Sequence, residues 1–171
     1  MKLHADIRIG GKQYAKGDTV PWYFIYPFFM VHMLAFGASG FYMAYADKGP
    51  DLSFLYMHGG IAIFVYTIFY IVIFGRDEVK WMFINSALGL FGIWVQIDWL
   101  LAVFGKNVAD YPMERHVIPF FYFVLYTFLL RNATLDLTDA REDPRKKKFV
   151  ENAYVIISVT VYVASYFLTG R

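Results

Sequence analysis

The chain has 171 residues, of which 58% are hydrophobic and 21% are aromatic. These fractions are too apolar for a soluble domain of this length and predict a membrane protein with one domain, residues 1–171. The formal net charge of +2 gives no indication of nucleic acid as a partner. Because the chain has no cysteine, disulfides, thiolate metal sites and cysteine nucleophiles are excluded.

Residues 1–21 are predicted to form a short cytoplasmic segment that contains a β-hairpin. Ile7 and Ile9 alternate with a polar residue, and they are followed by the turn-forming pair Gly10 and Gly11. No apolar stretch precedes Trp22, so we expect no cleavable signal peptide and a permanent first span.

Five segments are predicted to cross a bilayer. Roughly 20 apolar residues, rising ~1.5 Å each, are needed to cross the ~30 Å hydrocarbon layer. Four segments approach this length, at residues 22–45, 53–74, 81–104 and 149–169. A fifth apolar run is short unless its helix begins near Pro112, which suits a first helical turn, and its span is then 112–130. We therefore predict an all-α integral membrane protein, a bundle of five transmembrane helices.

The distribution of basic residues predicts the direction of the chain. With the N-terminus inside and the C-terminus outside, the inner segments hold twelve Lys and Arg residues and the outer segments hold four. This contrast agrees with the preference of basic residues for the cytoplasmic side of short loops. The expected location is a cell membrane, which we take to be a bacterial inner membrane because the chain is small and carries no targeting signal.

Residues 132–148 are predicted to form the only sizeable inner loop. Asp143 followed by Pro144 is typical of a helix start, so the last helix is expected to begin before it enters the membrane. Its first turn carries four consecutive basic residues, which we expect to contact anionic lipid headgroups. These are Arg145, Lys146, Lys147 and Lys148.

Polar side chains inside the spans predict which helix faces pack together, because such groups normally avoid lipid. In the third span, Asn85, Gly89, Gly92 and Gln96 share one face, and Asp98 points away from it. A helix with two polar faces is expected to have partners on several sides. The third span is therefore predicted to occupy the centre of the bundle.

Other spans also carry polar or small residues on one helix face. His32 near the midplane of the first span lies among small residues that allow close helix packing, including Gly37 and Gly40. The fourth and last spans are expected to bury one polar face each. These faces consist of Arg115, Pro119, Tyr122 and Tyr126 in the fourth span and of Glu151, Tyr154, Ser158, Tyr162 and Ser165 in the last.

Ionisable groups concentrate in the outer half of the predicted bundle. His58 and Asp98 lie at similar depths, ~8 and ~9 Å below the outer surface, with Glu114, Arg115 and His116 above them. A histidine beside an intramembrane aspartate could relay protons or bind a cation. It could equally form a structural hydrogen bond, since one sequence does not show that the two helices are adjacent.

Haem and metal sites find weaker support. His32 and His58 differ in depth by ~7 Å, whereas two axial haem ligands must lie at nearly the same level. His58 with His116 fits better in depth but lies close to the surface. A site formed by His58, His116, Asp98 and Glu114 has plausible ligand types but no metal-specific spacing. The metal content is therefore left open, and we expect no bound cofactor, with haem as the less favoured alternative.

Three functions remain open from the sequence. Catalytic and nucleotide-binding motifs such as GxSxG, HExxH, the Walker motif and GxGxxG are absent, so an enzyme is not favoured. The leading hypothesis is an accessory or interaction subunit that acts through protein or lipid contacts, with a membrane-protein partner or further copies of itself. The alternatives are a proton- or cation-coupled carrier or channel using His58 and Asp98, and a redox module that binds haem or quinone.

Overall fold

The computed structural model describes residues 2–168 of the chain. Its α-helices are α1 (Trp22–Tyr45), α2 (Leu52–Phe74), α3 (Arg76–Val79), α4 (Trp81–Val103), α5 (Val117–Leu137) and α6 (Pro144–Leu168). Two strands, β1 (Ile7–Ile9) and β2 (Lys12–Tyr14), precede them, and two 3₁₀ turns, Val108–Asp110 and Met113–His116, connect α4 to α5. The protein is therefore mostly helical with one small sheet, as the sequence predicts.

Helices of membrane-spanning length make up most of the described chain. Four are long and apolar enough to cross a bilayer: α1, α2, α6 and the continuous segment Met113–Leu137. Arg76–Leu90 and Trp94–Val103 meet at an angle of 59° and supply a fifth if they are counted as one span. The structure therefore has four to five helices of membrane-spanning length, and the predicted fifth depends on counting the bent pair as one span.

The predicted hairpin is present with the predicted turn. β1 and β2 pair antiparallel, and Ile9 faces Lys12 across the two-residue connection. Gly10 and Gly11 have φ angles of 55° and 83°. Two positive φ angles are the requirement of the tight turn that matches the twist of a two-stranded ribbon, and glycine meets it without steric cost.

Helix α5, and not α4, lies at the centre of the bundle. It packs against α1, α2, α4 and α6, whereas α4 packs mainly against α5 and α6. The prediction that the third span is central is therefore wrong. Asn85 on α4 is buried as expected, and Gly89 and Gly92 on the same face lie against α5 and α6, whereas Gln96 is exposed.

Glycines allow α5 to approach α1 and α2 closely. A Cβ atom on Gly40 of α1 would lie 2.7 Å from Cε2 of Tyr122, and one on Gly59 of α2 would lie 2.5 Å from Cγ2 of Ile118. Both distances are shorter than a van der Waals contact. Gly40 therefore plays the close-packing role that was predicted for the small residues of the first span.

Helix α5 continues beyond the predicted loop start at residue 132 and ends at Leu137. The predicted loop 132–148 is therefore wrong and is replaced by a short connection. Asp139 has a φ of 49°, and the backbone N–H of Ala140 donates to the carbonyl of Leu135 at 2.9 Å. This hydrogen-bond pattern closes an α-helix when a residue just after its last turn adopts left-handed backbone angles. Glycine usually occupies that position, but aspartate tolerates it. Because this connection contains no glycine, the sequence pattern does not indicate the helix end.

The start and the buried face of α6 agree with the sequence. Oδ1 of Asp143 accepts hydrogen bonds from the backbone N–H groups of Arg145 and Lys146, at 2.8 and 3.2 Å, and the helix begins at Pro144. The predicted face of this helix is half-buried. It consists of Glu151, Tyr154, Ser158, Tyr162 and Ser165.

Candidate functional site

A buried ion cluster lies at the end of the bundle that carries the hairpin. Arg131 of α5 is fully buried, and its guanidinium donates to Oε2 of Glu78 at 2.6 Å and to the carboxylate of Glu151. Nζ of Lys147 donates to the other oxygen of Glu78, also at 2.6 Å. We call Glu78, Arg131, Lys147 and Glu151 the ion cluster. It joins α3, α5 and α6.

Aromatic and amide groups extend the ion cluster into the bundle. The guanidinium of Arg131 lies 4.1 Å from the ring centroid of Trp81, close enough for a cation–π interaction. Asn85 is buried on the next turn of α4, where its side-chain oxygen lies 3.4 Å from the hydroxyl of Tyr154. That hydroxyl also lies 3.3 Å from the carbonyl of Thr127. The predicted packing residue Glu151 therefore belongs to the ion cluster, whereas Asn85 lies in a separate polar contact with Tyr154.

A second network joins α1 to the end of α5. The carboxylate of Asp136 accepts from Nε and Nη2 of Arg141 at 2.6 and 3.0 Å, and it also accepts from the hydroxyl of Tyr26. Nη2 of Arg141 lies 3.1 Å from the side-chain oxygen of Asn132. These charges are paired and hydrogen-bonded, so the network is suited to fixing the helix ends. Sequence reasoning missed both networks because it assigned Glu78 and the residues after Leu130 to loops.

The basic run at the start of α6 divides between two environments. Lys147 turns towards the bundle and belongs to the ion cluster. Arg145, Lys146 and Lys148 are exposed. Contact of these three side chains with lipid headgroups stays a prediction.

The opposite end of the bundle, which carries the loops after α1 and α4, holds a cap for α1. Nζ of Lys106 donates to the carbonyl of Tyr45 at 2.8 Å and to Asp47 at 2.6 Å, and the hydroxyl of Tyr111 donates to the same carbonyl at 2.7 Å. Arg115 donates to the two preceding carbonyls at 3.2 and 3.3 Å. The hydrogen bond to Asp47 raises the pKa of Lys106 above its ordinary value, so the cap stays charged. Arg115 therefore has a capping contact that the sequence did not indicate.

His58 and Asp98, the predicted relay pair, lie on helices without an extensive common interface. α2 packs against α1 and α5, whereas α4 packs against α5 and α6. The ring centroid of His58 lies 6.4 Å from that of Phe36 and 5.9 Å from that of Phe54. Asp98 is half-buried. The relay stays a prediction, and this arrangement adds no support to it.

The other predicted ionisable groups have separate surroundings. His116 is buried, and its Nδ1 lies 2.7 Å from the hydroxyl of Tyr45. His32 is half-buried, and its Nδ1 lies 2.7 Å from the carbonyl of Phe28 on its own helix. Glu114 is exposed. Across residues 2–168, no three His, Asp or Glu side chains are grouped so that they could hold a metal ion. The two-histidine, two-carboxylate site is therefore not formed.

A large cleft lies between α1 and α4, with α5 as its floor. Its volume is about 1000 Å³, at the upper end of the range of small-molecule sites. It exists because α1 and α4 each pack against α5 without an extensive interface with one another. Most of the lining is apolar or aromatic. Representative residues are Gly37, Phe41, Leu100, Leu101, Pro119 and Phe123.

Polar groups lie at two levels of the cleft. Asp47, Lys48 and Lys106 are found at the end near the loops, Tyr126 lines the deeper part, and Gln96 lies between these two levels, close to the start of α5. The carboxamide of Gln96 is exposed in the cleft, and no described residue provides it with a hydrogen bond. An apolar cavity with a few polar groups is the usual form of a ligand site, so the cleft is the candidate functional site.

No protein-family model, curated protein or solved structure matches this chain. The function is therefore inferred from the cleft and from the surfaces of the helices around it.

Proposed function

We propose that this chain is an integral membrane protein with five spans, the N-terminus inside and the C-terminus outside, and that it holds a lipid-soluble molecule in its cleft as an accessory component. The observation that carries this proposal is the cleft of about 1000 Å³ with its apolar lining. Such a cavity would be unfavourable to fill with water, whereas a lipid-soluble molecule buries the same surface favourably.

The outer surface of the helices supports a membrane location. Large apolar side chains are strongly exposed on several helices, for example Phe83 on α4 at 78%, Phe149 on α6 at 73% and Phe167 on α6 at 75%. Exposure on this scale is costly in water and ordinary in lipid. The outward face of α6 is also available to a membrane-protein partner or to a second copy of the chain.

Binding is favoured over catalysis because the charged groups have structural partners. The ion cluster and the cap of α1 use their charges to join helices, and both lie at the ends of the bundle. The deeper part of the cleft is lined by neutral side chains. These surroundings suit a molecule that is held by apolar contact and a few hydrogen bonds.

The orientation can be tested by cysteine labelling, because the natural chain has no cysteine. Lys48→Cys should react with a membrane-impermeant maleimide in intact spheroplasts, because Lys48 is exposed on a predicted outer loop. Lys16→Cys, also exposed, should react only after the membrane is permeabilised. The opposite labelling pattern would show that the orientation is reversed.

Filling the cleft should remove its ligand. Gly37 lines the cleft, and a Cβ atom there would meet nothing within 4 Å, so Gly37→Phe places a ring in the cavity without a backbone clash. Lipids and other lipophilic molecules that copurify with the wild-type protein in mild detergent should fall to background in this variant. They are measured by mass spectrometry of solvent extracts.

Gly60→Phe is the matched control for this experiment. A Cβ atom at Gly60 also meets nothing within 4 Å, but Gly60 lies on α2 and away from the cleft lining. This variant should keep the wild-type ligand. Equal ligand content in the wild type and in Gly37→Phe would contradict the proposed function. If the purified wild-type protein carries a stoichiometric protein partner and no lipid-soluble molecule, the interaction takes place on the outer surfaces of the helices and not in the cleft.

A further inference from the structure

The charged residues that line the cleft all lie at its end near the loops, which we call the mouth. They are Asp47, Lys48 and Lys106. Nζ of Lys106 donates to Oδ1 of Asp47 at 2.6 Å, so these two charges form an ion pair. Lys48 is exposed, and no described residue forms an ion pair with it. The mouth therefore carries one positive charge that is available to an anion.

Gln96 lies between the mouth and the deeper part of the cleft. It follows Trp94 by two residues on α4, and the ring centroid of Trp94 lies 5.2 Å from that of His116 at the start of α5. Nδ1 of His116 lies 2.7 Å from the hydroxyl of Tyr45, whose backbone carbonyl accepts from Lys106. These contacts place Gln96 close to the charged groups. Its carboxamide is exposed in the cleft and offers a neutral hydrogen-bond donor to a ligand.

The rest of the cleft is mostly apolar and is long enough for the acyl chains of a lipid. Met33 and Tyr45 of α1 both line it, and at ~1.5 Å per residue they lie ~18 Å apart along the helix. The acyl chains of one leaflet span about half of the ~30 Å hydrocarbon layer. From the mouth inwards, the lining thus presents a cation, then a neutral donor, then an apolar channel.

We infer that the cleft binds one anionic glycerophospholipid, with its phosphate at Lys48 and an ester carbonyl that accepts a hydrogen bond from Gln96. This inference rests on the proposed function and names the ligand of the same cleft. Phosphate, ester carbonyls and acyl chains follow one another in this lipid in the same order as the groups of the lining. A fatty acid has a single polar group, and a molecule without a phosphate leaves the charge of Lys48 uncompensated.

The inference is tested on the full chain in detergent micelles with equal amounts of two lipids. Phosphatidylglycerol is anionic and phosphatidylethanolamine is zwitterionic, and native mass spectrometry counts the bound molecules of each. The wild type should hold one phosphatidylglycerol in preference to phosphatidylethanolamine. Lys48→Gln should reduce this preference by about fivefold, the effect of one basic side chain on an anionic lipid. Lys48→Arg keeps the charge and should retain the preference.

Two further variants separate the carbonyl contact from the charge. Both lipids carry the same ester carbonyls, so Gln96→Leu should weaken the binding of each by about fivefold and leave the preference unchanged. Lys16→Gln is the matched control for Lys48→Gln, because Lys16 is exposed at the end of the bundle that carries the hairpin. It should change neither the affinity nor the preference.

The outcomes distinguish this inference from the proposed function. Equal binding of both lipids by the wild type would overturn the phospholipid site, as would wild-type behaviour of both Lys48→Gln and Gln96→Leu. The proposed function would stand in that case if a lipophilic molecule without a phosphate copurifies with the wild type and is lost in Gly37→Phe. Equal content of lipids and other lipophilic molecules in the wild type and in Gly37→Phe would contradict both.

Discussion

Replacing Arg131 with alanine is expected to destabilise the protein by about 3–5 kcal/mol, the usual cost of breaking a buried ion pair. The variant would leave Glu151 without its cation and Glu78 with Lys147 alone, and both carboxylate side chains are only 15% exposed. The cavity left beside Trp81 adds to the loss. Unfolding by denaturing detergent, followed by circular dichroism, measures the change.

Two variants calibrate the Arg131 experiment. Arg145→Ala removes a basic side chain that is exposed on the first turn of α6, and it should change stability by less than about 0.5 kcal/mol. In Arg131→Lys the side chain keeps its positive charge but can hydrogen-bond only one of the carboxylates of Glu78 and Glu151. The stability of this variant should therefore lie between those of the wild type and the alanine variant. A stability of Arg131→Ala equal to that of Arg145→Ala would show that the ion cluster contributes nothing.

Replacing Gly59 with alanine is expected to destabilise the bundle by roughly 1–3 kcal/mol, the cost of overpacking a tight interface. The new methyl group would lie 2.5 Å from Cγ2 and 3.0 Å from Cδ1 of Ile118. Ile118 is buried and β-branched, so it has little freedom to move within α5. Helices α2 and α5 must therefore separate, which thermal unfolding in detergent will report.

Gly60 provides the control at the next position of the same helix. A Cβ atom there meets nothing within 4 Å, so Gly60→Ala should be neutral or stabilising by up to ~1 kcal/mol, because alanine favours helix formation. Gly59→Ala and Ile118→Ala should be non-additive: the double variant should lose less stability than the sum of the two single losses, because the truncated Ile118 makes room for the new methyl group. Equal effects of Gly59→Ala and Gly60→Ala would contradict close packing at Gly59.

The distribution of polar groups suggests how the bundle can hold a cleft open. Ion pairs join α3, α5 and α6 at one end, and Lys106 and Arg115 hold the end of α1 at the other. Neither set of contacts requires α1 to touch α4. The helices are therefore held mainly through α5, and the space between α1 and α4 remains available to a ligand.

Local patterns in the sequence determined much of the secondary structure. Hydrophobic length predicted the apolar helices, paired glycines predicted the hairpin turn, and Asp143 with Pro144 predicted the start of α6. Helical periodicity also predicted which face of α6 meets the bundle. Each of these features depends on residues within a few turns of one another, so their physical causes are visible in the sequence.

Only the tertiary structure decided which helix is central, where the charges pair and where the cleft opens. Arg131 contacts Glu78, which lies 53 residues earlier in the chain, and in this contact Arg131 is buried and Glu78, a predicted loop residue, is half-buried. Gln96 has the same helical phase as Asn85, yet one lines a cleft and the other is buried. Periodicity shows which side chains share a face, but the arrangement of the other helices determines what that face contacts.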